Sequence, residues 1–193
     1  MALVNFATKE INVKIVYYGP ALSGKTTNLQ VIYDQVPEEV KGKFTSIATA
    51  TERTLFFDFL PLDLGTVRGF KLRLGVYTVP GQAIYGLTRK SILKSVDAVV
   101  FVADSDPDKF EANIDSFEDM TDNLREYGLD LEKVPLIIQY NKRDMPDAVS
   151  IDRLQEALNP EARYPAYEAI AINCQGVKET LKHITKLAVA RIH

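Results

Sequence analysis

One short run constrains this chain more than any other: Gly19-Pro20-Ala21-Leu22-Ser23-Gly24-Lys25-Thr26. It fits G-x-x-x-x-G-K-[ST], and its flanks are those such a loop requires. Before it, Ile11, Val13, Ile15 and Tyr17 alternate with Asn12 and Lys14, which predicts a strand over 11–18. After it, Lys25 to Tyr33 reads as a helix with Leu29 and Ile32 on its apolar side. A glycine-rich turn feeding a helix N-terminus aims several backbone N–H groups at one point and favours an anion there. The N–H groups of Leu22, Ser23, Gly24, Lys25 and Thr26, with Thr27 beside them and Gly19 opening the turn, are therefore expected to cradle phosphates. Lys25 is expected to reach the terminal phosphates and the Thr26 hydroxyl to ligate Mg²⁺. The loop predicts a nucleoside triphosphate without saying which base.

The remaining chain alternates strands and helices. Leu55–Leu60 and Phe70–Val79 read as strands joined by a hairpin link over Pro61-Leu62-Asp63-Leu64-Gly65, with Gly69 after it. Residues 42–53 are polar and aperiodic, and read as loop. Ala98–Ala103 and Val134–Tyr140 are almost wholly apolar, as strands buried on both faces are. Phe110, Ile114, Phe117, Thr121 and Leu124 recur at helical spacing up to Gly128, Ile151, Leu154 and Leu158 mark a short helix, and Val177, Leu181, Ile184 and Ala188 line a last one. Ala169–Ile172 reads as a final short strand. The expected fold is α/β: one doubly wound, mostly parallel six-stranded sheet with one antiparallel edge strand, in a single domain over 1–193.

Composition removes several classes of function. Of 193 residues, 25% are charged and the net charge is -3, which argues weakly against a nucleic-acid binder, since such proteins usually show a basic stripe. The single cysteine, Cys174, excludes an intrachain disulfide or a cysteine-based zinc cluster, and suits a reducing compartment. No run approaches the ~20 apolar residues of a membrane helix. Neither a secretory leader nor a lipidation box is present, so a cytoplasmic location without an integral membrane segment is expected.

The base is addressed by Asn141-Lys142-Arg143-Asp144, directly after the strand 134–140. Asp144 can accept from the N1–H and 2-amino groups of guanine, a donor pair that adenine lacks. Asn141 can brace the pocket near the purine N7, and the Lys142 stem can pack over the ring. Taken alone, these four residues would equally suit a solvated loop; a phosphate loop upstream and a buried strand before them favour the base pocket.

Over nearly its whole length the sequence resembles the Ras-like small GTPases, and within them the bacterial MglA-type proteins of gliding motility and cell polarity. The resemblance is carried by Lys14-Ile15-Val16-Tyr17-Tyr18-Gly19-Pro20, Arg53-Thr54-Leu55-Phe56-Phe57-Asp58-Phe59-Leu60-Pro61, Tyr77-Thr78-Val79-Pro80-Gly81-Gln82 and Gln139-Tyr140-Asn141-Lys142-Arg143-Asp144. It implies a P-loop NTPase fold of the Ras-like G-domain type that binds GTP or GDP with Mg²⁺. Thr54 becomes the switch I threonine meeting Mg²⁺ and the γ-phosphate; by residue type alone it is a β-branched strand-start residue. Arg53 matches an arginine finger from within the chain, where the residue alone suggests a surface arginine. Gly81 would donate its N–H to the γ-phosphate, and Gln82 would orient the attacking water. Thr78 stands where most small GTPases carry the aspartate of D-x-x-G-Q, as in the MglA-type group, and would meet the metal through water. Ala171 matches the backbone donor to guanine O6. Tyr85 and Arg89 fall in switch II, as partner contacts or as a helix face.

The resemblance further implies slow GTP hydrolysis, a roadblock-type GTPase-activating protein and polarity or motility effectors as partners, concentration at a cell pole, and a monomer in isolation. Ala21 departs from the family: it stands where relatives carry glycine beside the γ-phosphate. It motivates the alternative of a hydrolysis-deficient, nucleotide-bound scaffold.

Overall fold

The computed structural model describes residues 3–49 and 52–192, with side chains at all of these except positions 3, 47–49, 52–56 and 83. The centre of the fold is β2 (Glu10–Tyr18), whose Ile15, Val16, Tyr17 and Tyr18 are wholly buried. On one side it pairs in parallel with β5 (Phe70–Thr78), on the other with β6 (Ala98–Asp104). β7 (Leu136–Asn141) and β8 (Ala166–Glu168) continue the parallel run beyond β6. The chain thus leaves β2 in opposite directions, and the mouth between β5 and β6 is where an open α/β sheet binds its ligand. The loop 19–24 sits there.

Beyond β5 the sheet turns antiparallel, through β4 (Glu52–Val67) and β3 (Thr45–Thr49), and β1 (Leu3–Asn5) pairs antiparallel with β2. Eight strands are present among the described residues, where six were expected. Residues 45–49 carry no apolar alternation, yet they pair because β4 offers an unpartnered edge. β4 itself runs past Pro61, which faces Gly75, to a turn at Arg68 and Gly69 with φ of 50° and 82°. β3 stops at the Thr45–Phe59 pair, and beyond it the outer side of β4 carries only an isolated bridge, Lys41 to Leu62, in which proline takes part through its carbonyl: the Pro61 oxygen accepts from the Gly42 N–H at 2.8 Å. The hairpin link expected over 61–65 is therefore strand. The last strand is also displaced: Ala171–Asn173 is a single 3₁₀ turn following β8.

Helices α1 (Lys25–Gln35) and α5 (Val177–Val189) cover one face of the sheet; α2 (Gly86–Leu93), α3 (Phe110–Glu126) and α4 (Ile151–Leu158) belong to the other. Each face has its own core. Leu29 and Ile32 of α1 and Ile184 of α5 pack with Ile15, Leu60, Leu74 and Val76. Met120, Leu124 and Leu154 pack with Val16, Phe101 and Ile138. A buried polar contact ties both helices of the first face to the sheet: Gln139, on β7, donates from Nε2 to Asn28 Oδ1 of α1 at 3.0 Å and to Thr180 Oγ1 of α5 at 3.1 Å.

Candidate functional site

The loop between β2 and α1 is shaped by left-handed backbone. Gly19 has φ 143°, Leu22 67° and Gly24 97°, and Gly24 is the N-cap of α1. A methyl group on Gly19 would lie 2.2 Å from the carbonyl oxygen of Val102, so glycine is required there by space as well as by φ. Lys25 is buried and donates from Nζ to the carbonyl oxygens of Gly19 (2.9 Å) and Pro20 (2.6 Å), which places its ammonium inside the loop. Burial pushes its pKa down to about 7, with nearby Asp58 acting against the shift. The Ser23 hydroxyl is buried with no hydrogen-bond partner among the described residues. A cationic, glycine-shaped concavity holding an unsatisfied hydroxyl at a helix N-terminus has the donor set for a polyphosphate.

Asn141 joins this loop to the pocket beside it. It lies at the end of β7 and is buried; its Nδ2 donates to the Ser23 carbonyl oxygen at 2.8 Å, and its Oδ1 accepts from the Ala171 N–H at 3.0 Å. The pocket it braces has a volume of about 220 Å³, with Thr27, Lys142 and Asp144 among its walls. Asp144 is exposed at its rim. Lys142 has φ 64° and reaches across to Asp104, with Nζ to Oδ2 at 2.5 Å. That pair lays the aliphatic stem of Lys142 along the pocket. Ala171 is placed in the pocket wall, but its N–H is given to Asn141; the structure does not leave it free for a base.

The metal-side residues converge differently from expectation. Thr26 Oγ1 donates to Asp58 Oδ2 at 2.6 Å, and Thr78 Oγ1 donates to the same oxygen at 2.9 Å while accepting from the Asp58 N–H at 2.8 Å. Sequence reasoning passed over Asp58. The signal was present: Asp58 shares the inward face of β4 with Leu60 and Leu62, and an acid in an apolar stripe needs a reason. The side chains of Arg53 and Thr54, at the start of β4, lie outside the described set.

Gly81 and Gln82 follow β5. A Cβ on Gly81 would stand 2.4 Å from the backbone N and Cα of Ala21, so the two loops touch main chain to main chain. The Gln82 side chain is exposed, and its carbonyl oxygen accepts from Arg89 Nη1. Arg89 is buried and paired with Asp119 of α3, so it serves neither as a partner contact nor as a bare helix face. Tyr18 donates to Asp119 as well, and burial, with this bond added, raises the Tyr18 pKa. Ile84 and Leu87, by contrast, are exposed at 79% and 83%.

A phosphate-shaped loop at the sheet's switch point, tied by one asparagine to a base-sized pocket, defines a P-loop nucleotide-binding protein. The model of the ADP-ribosylation factor family matches residues 2–188, and the chain belongs to that family: it is a guanine-nucleotide-binding GTPase. It is 54% identical over 192 residues to the mutual gliding-motility protein MglA of Myxococcus xanthus (strain DK1622), a match covering 100% of this chain and 98% of that protein. Among the described residues, no helix is long and apolar enough to cross a membrane.

Proposed function

We propose that this chain is a Mg²⁺-dependent GTP/GDP switch that regulates motility, as the name of its Myxococcus relative suggests for that protein, and cell polarity by resemblance to the MglA-type group. The observation that carries the reading is the pair of hydrogen bonds made by the Asn141 side chain, one donated to the Ser23 carbonyl and one accepted from the Ala171 N–H, which joins the phosphate loop to the base pocket. In this reading Gly19 and Ala21 to Thr27 hold the phosphates, Lys25 meets the terminal ones, and Asp144 reads the guanine edge while Asn141, Lys142 and Ala171 build its walls. Thr26 and Thr54, with Thr78 through water, would hold Mg²⁺. Bound there, the ion neutralises charge on the β- and γ-phosphates.

Hydrolysis is assigned to Gln82, which aligns water, and Arg53, which offsets charge growing on the transferred phosphoryl group. Gln82 is a poor base, so turnover alone is slow. A partner that settles both side chains, of the roadblock type by resemblance, would supply the acceleration. The exposed Ile84 and Leu87, two and five residues beyond Gln82, offer it an apolar contact beside the catalytic loop. Loss of the γ-phosphate releases Thr54 and Gly81 and changes the surface that effectors read. Effector contacts then concentrate an otherwise cytoplasmic protein at a cell pole.

The test is single-turnover GTP hydrolysis with and without the roadblock-type protein of the same organism, beside competition of GTP, GDP and ATP for the site. Preference for guanine nucleotides with strong partner stimulation is expected. Equal affinity for ATP would sink the guanine assignment, and turnover that no partner raises would favour the scaffold reading motivated by Ala21.

A further inference from the structure

Asp58 is wholly buried, and its described partners are all hydroxyl groups or its own strand neighbour. Thr26 and Thr78 donate to Oδ2, and Ser46 Oγ donates to Oδ1 at 2.7 Å. None of the described ion pairs involves it. Its field is felt by Lys25, but the ammonium of Lys25 is held by the loop carbonyls of Gly19 and Pro20. A carboxylate withdrawn from water into an apolar sheet face is costly unless it is paired with a charge or serves a metal. Hydroxyl donors alone compensate it only in part.

Its position supplies the missing half. β4 and β5 are antiparallel, and Phe59 faces Tyr77, so the next facing pair is Asp58 and Thr78. Both side chains point to the α1 face, in the stripes Asp58-Leu60-Leu62 and Leu74-Val76-Thr78. They meet at Thr26, the first-turn hydroxyl of α1. Hard divalent cations select oxygen ligands and favour carboxylates, and β5 ends in a neutral threonine at this point. Asp58 brings a carboxylate to the same place from the neighbouring strand.

We propose that Asp58 is the acidic residue of the divalent-cation site, supplying from β4 the carboxylate that Thr78 does not supply from β5. Thr78 then orients it, through one bond donated to the carboxylate and one accepted from its backbone. This inference rests on the nucleotide-switch reading above. It makes the pair Asp58–Thr78 the working unit, with the acid and the hydroxyl exchanged between facing positions.

The experiment is release of a fluorescent GDP analogue from the native protein and from Asp58→Asn, in EDTA and in millimolar Mg²⁺, with thermal melting in EDTA to verify folding. Mg²⁺ is expected to slow release from the native protein. In Asp58→Asn the apparent Mg²⁺ affinity should fall by about 10–100-fold, with the EDTA release rate nearly unchanged. The exchange variant Asp58→Thr/Thr78→Asp should recover most of the Mg²⁺ effect, and it decides the matter if Asp58→Asn does not fold. Tighter Mg²⁺ binding in Asp58→Asn would overturn the proposal, because the carboxylate would then be a plug over Thr26. An unchanged Mg²⁺ response with a lowered melting temperature would reduce Asp58 to a structural role. A native protein that binds no guanine nucleotide would instead remove the switch reading itself.

Discussion

The guanidinium of Arg89 meets the carboxylate of Asp119 at 2.8 Å, and the same guanidinium holds the carbonyl oxygen of Gln82. The loop that carries the candidate catalytic glutamine is thereby anchored to α3. Cutting the anchor at its far end should free the near end. Asp119→Asn is expected to cost about 1.5–3 kcal/mol, the range for a hydrogen bond to a charged group. Hydrogen exchange should rise over residues 81–89 while β2 stays protected. Unchanged exchange in that segment would mean that the carbonyl bond is incidental.

Lys25 gives a pH dependence with a definite sign. Its folded pKa is pushed down to about 7, below the 10.5 of an unperturbed lysine. Between these values the unfolded chain binds the extra proton, so stability of the nucleotide-free protein should rise with pH through that window and level off above it. Phosphates favour the charged ammonium, so triphosphate binding at about pH 8–9 should take up a proton. Calorimetry in buffers of different ionisation enthalpy would detect the uptake, and Lys25→Met should abolish it.

Gly24 cannot take a side chain. Its φ is 97°, and a methyl group would fall 2.2 Å from Asn141 Nδ2, which is pinned to Ser23. Left-handed backbone alone costs a residue other than glycine about 1–2 kcal/mol. Gly24→Ala should therefore lower the melting temperature and strip affinity for GDP and GTP together, measured by equilibrium titration.

The base assignment predicts a change of preference. Asp144→Asn should weaken GTP by about 1.5–3 kcal/mol and improve binding of xanthosine triphosphate. Competition titration reads both. A loss for every nucleotide alike would point to damage of the pocket and not to reading of the base.

Catalysis is tested where Ala21 and Gly81 touch. Gln82→Leu and Arg53→Ala should each remove partner-stimulated hydrolysis, an effect of about 10³–10⁵-fold when a placed arginine is involved. Gly81→Ala should also fail, and Ala21→Gly should not rescue it, because the clash is with the backbone of residue 21. Rescue by Ala21→Gly would show that the methyl of Ala21, and not the main chain, sets the approach.

Much of this arrangement could be read before the fold was known, because its signals are local. The alternation before Gly19, the apolar runs of β6 and β7 and the helical spacing of α3 and α5 depend on neighbours a few residues away. The site's second half was hidden for the opposite reason. Residues 45–49 become a strand only against β4, and Asp58 meets Thr26 across 32 residues of sequence. Arg89 could be read equally as a partner contact or as part of a helix face until α3 brought Asp119 to it. Ala171 could be placed by resemblance, but the direction of its N–H depends on the 3₁₀ turn that replaced the expected strand.

The brace at Asn141 joins neutral groups in a buried place: a side-chain amide, one backbone carbonyl and one backbone N–H. Added salt screens exposed charges over about 10 Å at 0.1 M and leaves such bonds untouched. The geometry of the base pocket should therefore hold as ionic strength rises, while the longer-range attraction of the anionic nucleotide to exposed cationic groups weakens. Salt will then loosen GTP, GDP and GMP to different degrees, in step with their charge, while the wall that Asn141 braces keeps its shape.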